Sequence, residues 1–281
     1  MKLALATQTS EVGSPAAVSL LSGTFEERAA KAAAWGAAGL ELLPIDPAAL
    51  DPQAIRQILQ RNGLEAAAIG SVLLGFAGLT LLHSDPEKAA QAESRLHALI
   101  DFAAAVGAPL VGLGGHRGRI ASVGAEEGPG RLIAVLRRAA EYAASRRVRV
   151  ALEPINRYQT DFVTNTDEGL GLAEKVGHPA LGLLLDTCHM NMEESSWAGA
   201  FQRAMSAGRL WHVHVADSNR LAPGQGLIDF QAVVDALRQV GYSGYLSAEI
   251  FAQPDPDTAA RATLTHMLPL LGIPAGERSQ P

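Results

Sequence analysis

Eight short apolar runs, each followed by a longer amphipathic stretch, recur along this chain, and that alternation constrains the fold more than any other feature. The runs are "KLALAT" (2–7), "GLELL" (39–43), "LEAAAIG" (64–70), "PLVGLG" (109–114), "VRVALE" (148–153), "LGLLLD" (181–186), "LWHVHV" (210–215) and "GYLSAE" (244–249). Stretches of helical period lie between them, for example at 24–36, 86–106, 126–145 and 229–239, with Thr24, Ser84 and Asp229 placed as caps. Eight β-then-α units predict a (β/α)8 TIM barrel. An open doubly wound sheet also alternates, but "ATQTSEVGSP" after the first run lacks the Gly-rich nucleotide turn. With 281 residues, 48% of them hydrophobic, there is enough apolar surface for one large core. A single domain over 1–272 is expected, with "IPAGERSQP" (273–281) as a C-terminal tail.

Charge narrows the choice of partner. Acidic residues outnumber basic ones by 29 to 23 and no Lys/Arg run is present, so a small molecule is expected rather than a nucleic acid. No apolar stretch approaches the roughly 18 residues of a membrane span. Cys188 is the single cysteine and cannot form an intrachain disulfide, and the N-terminal stretch turns polar by Thr7, which predicts a cytoplasmic protein.

In a barrel of this kind the chemistry sits where strands end and βα loops begin. Strand five ends in Glu153, strand six in Asp186 and strand eight in Glu249, while strand seven contains His214. Strand parity turns His212 inward together with His214 and sends Trp211, Val213 and Val215 outward, Trp211 under a helix. The same parity sets the small residues Ala151 and Ser247 below Glu153 and Glu249. Three carboxylates and an imidazole at one barrel mouth repel and titrate badly unless a cation sits among them. One nitrogen and three oxygens suit a single divalent ion, Mn²⁺ first, with Mg²⁺ or Co²⁺ as alternatives.

The segments "EPINRYQTDF" (153–162), "LDTCHMNMEE" (185–194), "HVHVADSNRLAPGQG" (212–226) and "AEIF" (248–251) resemble the sugar isomerase/epimerase superfamily of xylose-isomerase-like barrels. The likeness covers essentially the whole chain and is strongest to the ketose 3-epimerase branch, which includes tagatose and psicose 3-epimerases and ketogluconate epimerases. It implies that Glu153, Asp186, His214 and Glu249 bind one metal, that Glu153 and Glu249 are also the catalytic acid/base pair, and that His189 and Arg220 hold the substrate. It makes His212 a buried supporting histidine and the assembly a homodimer or homotetramer. Gln159 departs from the pattern, since the sugar epimerases commonly carry Glu there; an amide still hydrogen-bonds a hydroxyl but adds no charge.

The expected reaction is epimerisation at C3 of a ketose or keto-sugar acid through an enediolate. Aldose–ketose isomerisation uses the same enediolate. His116, Arg117 and Arg119, in "GLGGHRGRI" after strand four, are read as lining the pocket, with the arginines placed to fork onto a substrate carboxylate. The competing reading for that segment is an ordinary solvated loop. Glu41 either touches substrate or makes an ion pair within the barrel. Two other functions remain: an abasic-site nuclease of the endonuclease IV type, which needs more histidine ligands than this chain offers, and a barrel that binds sugar without turning it over.

Overall fold

Strands packed on both faces read as near-continuous apolar runs, because helices cover the outside of a parallel barrel while side chains fill the inside. The computed structural model describes residues 1–273 and bears this out: every residue of Leu181–Asp186 is buried, for example. The strands are β1 (Lys2–Gln8), β2 (Gly39–Leu43), β3 (Glu65–Gly70), β4 (Leu110–Leu113), β5 (Arg149–Leu152), β6 (Leu181–Asp186), β7 (Leu210–His214) and β8 (Tyr245–Ala248). Each pairs in parallel with its neighbours in sequence, and β8 closes on β1, so the chain is a single (β/α)8 TIM barrel. The tail expected after the barrel lies outside the described residues from 274 onward. Among the described residues no helix is long and apolar enough to cross a membrane.

The outer helices are α1 (Phe25–Ala34), α2 (Pro52–Arg61), α3 (Val72–Phe76), α4 (Pro86–Val106), α5 (Gly128–Ser145), α6 (Thr166–Val176), α7 (Thr187–Glu193), α8 (Trp197–Ser206), α9 (Phe230–Gln239) and α10 (Pro256–Leu270). Thr24 caps α1 in a reciprocal box with Glu27, and Asp229 caps α9. Helix α4 is capped by Asp85 rather than Ser84, because the Asp85 carboxylate accepts the Glu87 N–H one residue further on.

One inward–outward assignment is reversed. The β6–β7 pairing slips between Leu183 and Leu184, so that Leu183 faces Leu210 while Leu184 faces His212. Trp211 is the extra residue, and such a bulge re-aims its side chain. Its ring packs against the inner cluster of Ala68, Leu110, Ala151 and Leu184. Gly182 makes the space, since a Cβ there would come within 2.5 Å of the indole. Trp211 therefore plugs the N-terminal end of the barrel instead of lying under a helix, with its N–H donated to the Gly208 carbonyl (3.1 Å). His212 and His214, past the bulge, do point inward.

Candidate active site

Consecutive strand ends deliver the polar cluster. Glu153 follows β5 and Glu249 follows β8, while Asp186 and His214 are the last residues of β6 and β7. One ligand atom from each of Glu153, Asp186, His214 and Glu249 lies within 4.8 Å of all the others. His214 Nδ1 is 3.7 Å from Glu153 Oε1, 3.7 Å from Asp186 Oδ2 and 3.8 Å from Glu249 Oε2. His214 Nδ1 and Glu153 Oε1 are buried with no hydrogen-bond partner among the described residues. Buried polar atoms left unpaired are costly. Two of them aimed into a nest of carboxylates fit a divalent cation, which accepts an imidazole nitrogen and carboxylate oxygens together.

The supporting residues set the aim of each donor. Asp186 spends Oδ1 on capping α7, accepting the N–H groups of Cys188 (2.8 Å) and His189 (3.2 Å), which leaves Oδ2 for the cluster. Glu41, wholly buried on β2, accepts from His212 Nε2 (3.0 Å) and from His214 Nε2 (3.1 Å). Holding the His214 proton on Nε2 leaves Nδ1 as the lone-pair donor, the usual carboxylate–histidine–metal arrangement. Glu41 is thus the intrabarrel partner of both histidines, and it also lines the cavity above them. Room for these carboxylates comes from glycines: a Cβ on Gly70 would stand 2.9 Å from Glu41 Oε1, and one on Gly114 would overlap Glu153 Oε2.

Arg220 comes from the loop after β7. That loop is wound on Asp217, whose carboxylate accepts the backbone N–H groups of Ser218, Gly224, Gly226 and Ile228. Arg220 itself sits at φ +63, a left-handed conformation that a non-glycine residue adopts only at some cost. Its guanidinium donates to Asp186 Oδ2 (2.9 Å) and to Glu249 Oε2, and Nη1 lies 3.3 Å from His189 Nε2. Burial alone would raise the Asp186 carboxyl, but the charges of Arg220 and His189 outweigh it and hold that group well below the usual range. Glu249 is raised, by burial first and then by repulsion from Glu153 and Glu41, against the pull of His214 and Arg220. The Asn156 amide, oriented by the Tyr158 N–H on its Oδ1 (3.1 Å), donates to His189 Nδ1 (2.8 Å). His189 Nε2 lies between the Arg220 guanidinium and Glu153 Oε1, 3.7 Å from the latter.

Above the cluster lies a cavity of about 680 Å³, a size typical of small-molecule sites. Gln159, His189 and Arg220 line it together with Glu153, His214 and Glu249.

Two residues expected to line the pocket are placed elsewhere. His116 is buried between backbone carbonyls, with Nδ1 2.5 Å from Leu79 O and Nε2 3.1 Å from Ala92 O, so its single N–H is spent on backbone and its ring does not face the cavity. Burial also pushes its protonation down to about 4. Arg117 is buried as well, and its guanidinium donates to the carbonyls of Glu153, Phe162 and Val163 (3.0 Å to each of the last two). It braces the end of β5 and cannot fork onto a substrate carboxylate. Arg119 is half-exposed and 4.0 Å from Asp161. Sequence reasoning missed Asn156 and Asp217 as organisers, although both lie inside the quoted motifs.

Three comparisons place this architecture among known proteins. The family described as "Xylose isomerase-like TIM barrel" matches residues 29–270. The chain is 31% identical over 259 residues to an L-ribulose 3-epimerase of Methylomonas sp. (strain DH-1), covering 86% of each chain. It is 31% identical over 221 residues to a ketose 3-epimerase of Arthrobacter globiformis, covering 76% of this chain and 74% of that one. A crystal structure of D-allulose 3-epimerase from Methylomonas sp. in complex with D-allulose superposes with a TM-score of 0.76 at 26% identity, over 95% of this chain and 96% of that one. Matched over most of its length by fold and by sequence, the chain belongs to the xylose isomerase-like TIM barrel family, among its carbohydrate epimerases.

Proposed function

We propose that this protein is a metal-dependent ketose 3-epimerase. The observation that carries the reading is the approach of two carboxylates, Glu153 from β5 and Glu249 from β8, to the same unpartnered His214 Nδ1 beneath one cavity. Inverting C3 of a ketose requires removing the proton next to the C2 carbonyl and returning one on the opposite face, and so needs two bases. A divalent ion, for which we propose Mn²⁺, would be held by Glu153, Asp186, His214 and Glu249 and would act as a Lewis acid toward the charge that develops on the sugar oxygens. One of Glu153 and Glu249 takes the C3 proton while the other supplies the new one, and the roles exchange with direction. His189 Nε2 and the Arg220 guanidinium hydrogen-bond the sugar oxygens of the C2–C3 enediolate. Gln159, on the cavity wall, hydrogen-bonds a hydroxyl.

The neutral ketose is favoured over the keto-sugar acid, because the Arg117 guanidinium is consumed by backbone carbonyls and Arg119 stands beside Asp161. A nuclease of the endonuclease IV type is disfavoured: the second His/Glu cluster, Glu41 with His212 and His214, is closed by direct hydrogen bonds of 3.0 to 3.2 Å.

The test is incubation of metal-loaded protein with ketoses and aldoses in heavy water. Deuterium at C3 of a ketose is expected. Exchange at C1 alone would indicate aldose–ketose isomerisation, and no exchange at any sugar carbon would leave a binding protein. Glu153→Gln and Glu249→Gln should each abolish epimerisation at saturating metal, and full recovery with excess Mn²⁺ would show that neither is a base.

A further inference from the structure

Beside the reaction cavity lies a second, smaller one of about 280 Å³, which shares Gly115, Ile155 and Gln159 with it. Its walls come from three loops: the segment after α3 (Gly78, Thr80), the segment after β4 (Gly115–Ser122) and the segment after β5 (Ile155–Thr160). These walls are tied together. Leu81 and Leu82 donate their N–H groups to the carbonyls of His116 (2.9 Å) and Arg117 (3.0 Å), Leu82 bridges to Gly118, and the buried Arg117 guanidinium fastens the β4 loop to the β5 loop. The side pocket is preformed, and His116 and Arg117 hold its frame.

Its chemistry is that of unspent neutral hydrogen bonding. Among the described residues the side chains of Thr80, Ser122 and Gln159 take part in no hydrogen bond, and Thr160 makes only a 3.4 Å contact to the Phe162 carbonyl. Of its two cations, Arg117 is spent on the Phe162 and Val163 carbonyls (3.0 Å each), and Arg119 stands beside Asp161, whose oxygens also accept the N–H groups of Ile120 (2.8 Å) and Ala121 (2.9 Å). Free hydroxyls and an amide, with both guanidinium groups already engaged, suit a polyol rather than a phosphate or carboxylate.

We infer that the substrate is a keto-sugar carrying a second hydroxyl-rich ring on a distal oxygen, with the reacting sugar above the carboxylate cluster and the second ring in this side pocket. The inference rests on the epimerase reading above. It assigns Gln159, common to both cavities, to the junction between the rings.

The experiment compares D-fructose and D-tagatose with 4-O- and 6-O-glycosyl fructoses, all of which keep a free C2 carbonyl, by deuterium incorporation at C3 with Mn²⁺-loaded protein. At least one disaccharide should show kcat/KM higher than the free ketoses by about tenfold or more. Ser122→Phe, which fills the side pocket, should collapse that ratio. On the unaltered protein, saturation-transfer NMR should show protons of the second ring receiving magnetisation as strongly as those of the ketose. Free ketoses exchanging as well as the disaccharides, a ratio unmoved by Ser122→Phe, or a second ring without saturation transfer would overturn this inference and leave the epimerase reading intact. No exchange in any sugar would overturn both.

Discussion

A histidine that ligates through Nδ1 depends on whatever holds its other nitrogen, and here that is Glu41. Glu41→Gln keeps the volume and an acceptor but removes the charge. We expect Mn²⁺ affinity to fall by about 10–100-fold, read by isothermal titration, with the far-ultraviolet spectrum unchanged. An unchanged affinity would count against the arrangement. The same geometry dictates a pH dependence. Without metal, burial opposes charge on His214, but Glu41 and Glu249 outweigh burial and keep the imidazole protonated well above its ordinary value. The metal-free site therefore binds more protons near neutrality than the loaded site, loading releases protons, and affinity must fall as pH falls. Titration in two buffers of different ionisation enthalpy should show release of about one proton or more per ion.

Loops after strands gain their precision from single carboxylates and from missing side chains. Asp217 gathers four backbone N–H groups of the loop that presents Arg220. Asp217→Ala should cost about 1–3 kcal/mol of stability and raise KM more than it lowers kcat, as thermal melts and steady-state kinetics will show. Gly114→Ala is a sharper probe: its methyl would overlap Glu153 Oε2, so turnover and metal affinity should drop together while the melting temperature stays near that of the parent. Arg117→Met should impair neutral and acidic keto-sugars alike, because the guanidinium serves the β5 carbonyls; a loss confined to ketogluconates would restore the carboxylate-fork reading. The strand ends that carry Glu153, Asp186, His214 and Glu249 were legible because an unbroken apolar run and a polar terminus coincide there. His116 and Arg117 were not, since position in a loop says nothing about which way a side chain turns. Burial of both rests on carbonyls of Leu79, Ala92, Phe162 and Val163, which sequence proximity does not connect to them.

Across the whole molecule the eightfold alternation was enough to specify the barrel, because parallel strands covered on both sides leave an unbroken apolar signature. Trp211 escaped the same reading for a physical reason. A bulge changes which face a residue meets without altering the composition around it, and the clue was the unoccupied Cβ space at Gly182, two strand positions before Leu184. Large apolar side chains remain on the mouth face, where Phe76 is 64% exposed, Tyr158 77% and Leu227 92%. We propose that a homo-oligomer forms through that end; light scattering of Tyr158→Ser and Leu227→Ser variants should then show a shift toward monomer. The indole at the opposite end has a different consequence. With it packed on the inner cluster at that end, the proposed ion and sugar share the opening at the mouth. Whatever lies deepest must then arrive first and depart last, so a sugar in the cavity stands over the ion like a stopper. Chelator should strip the ion quickly from the free protein and slowly in the presence of saturating ketose, and equal rates would mean that the floor leaks.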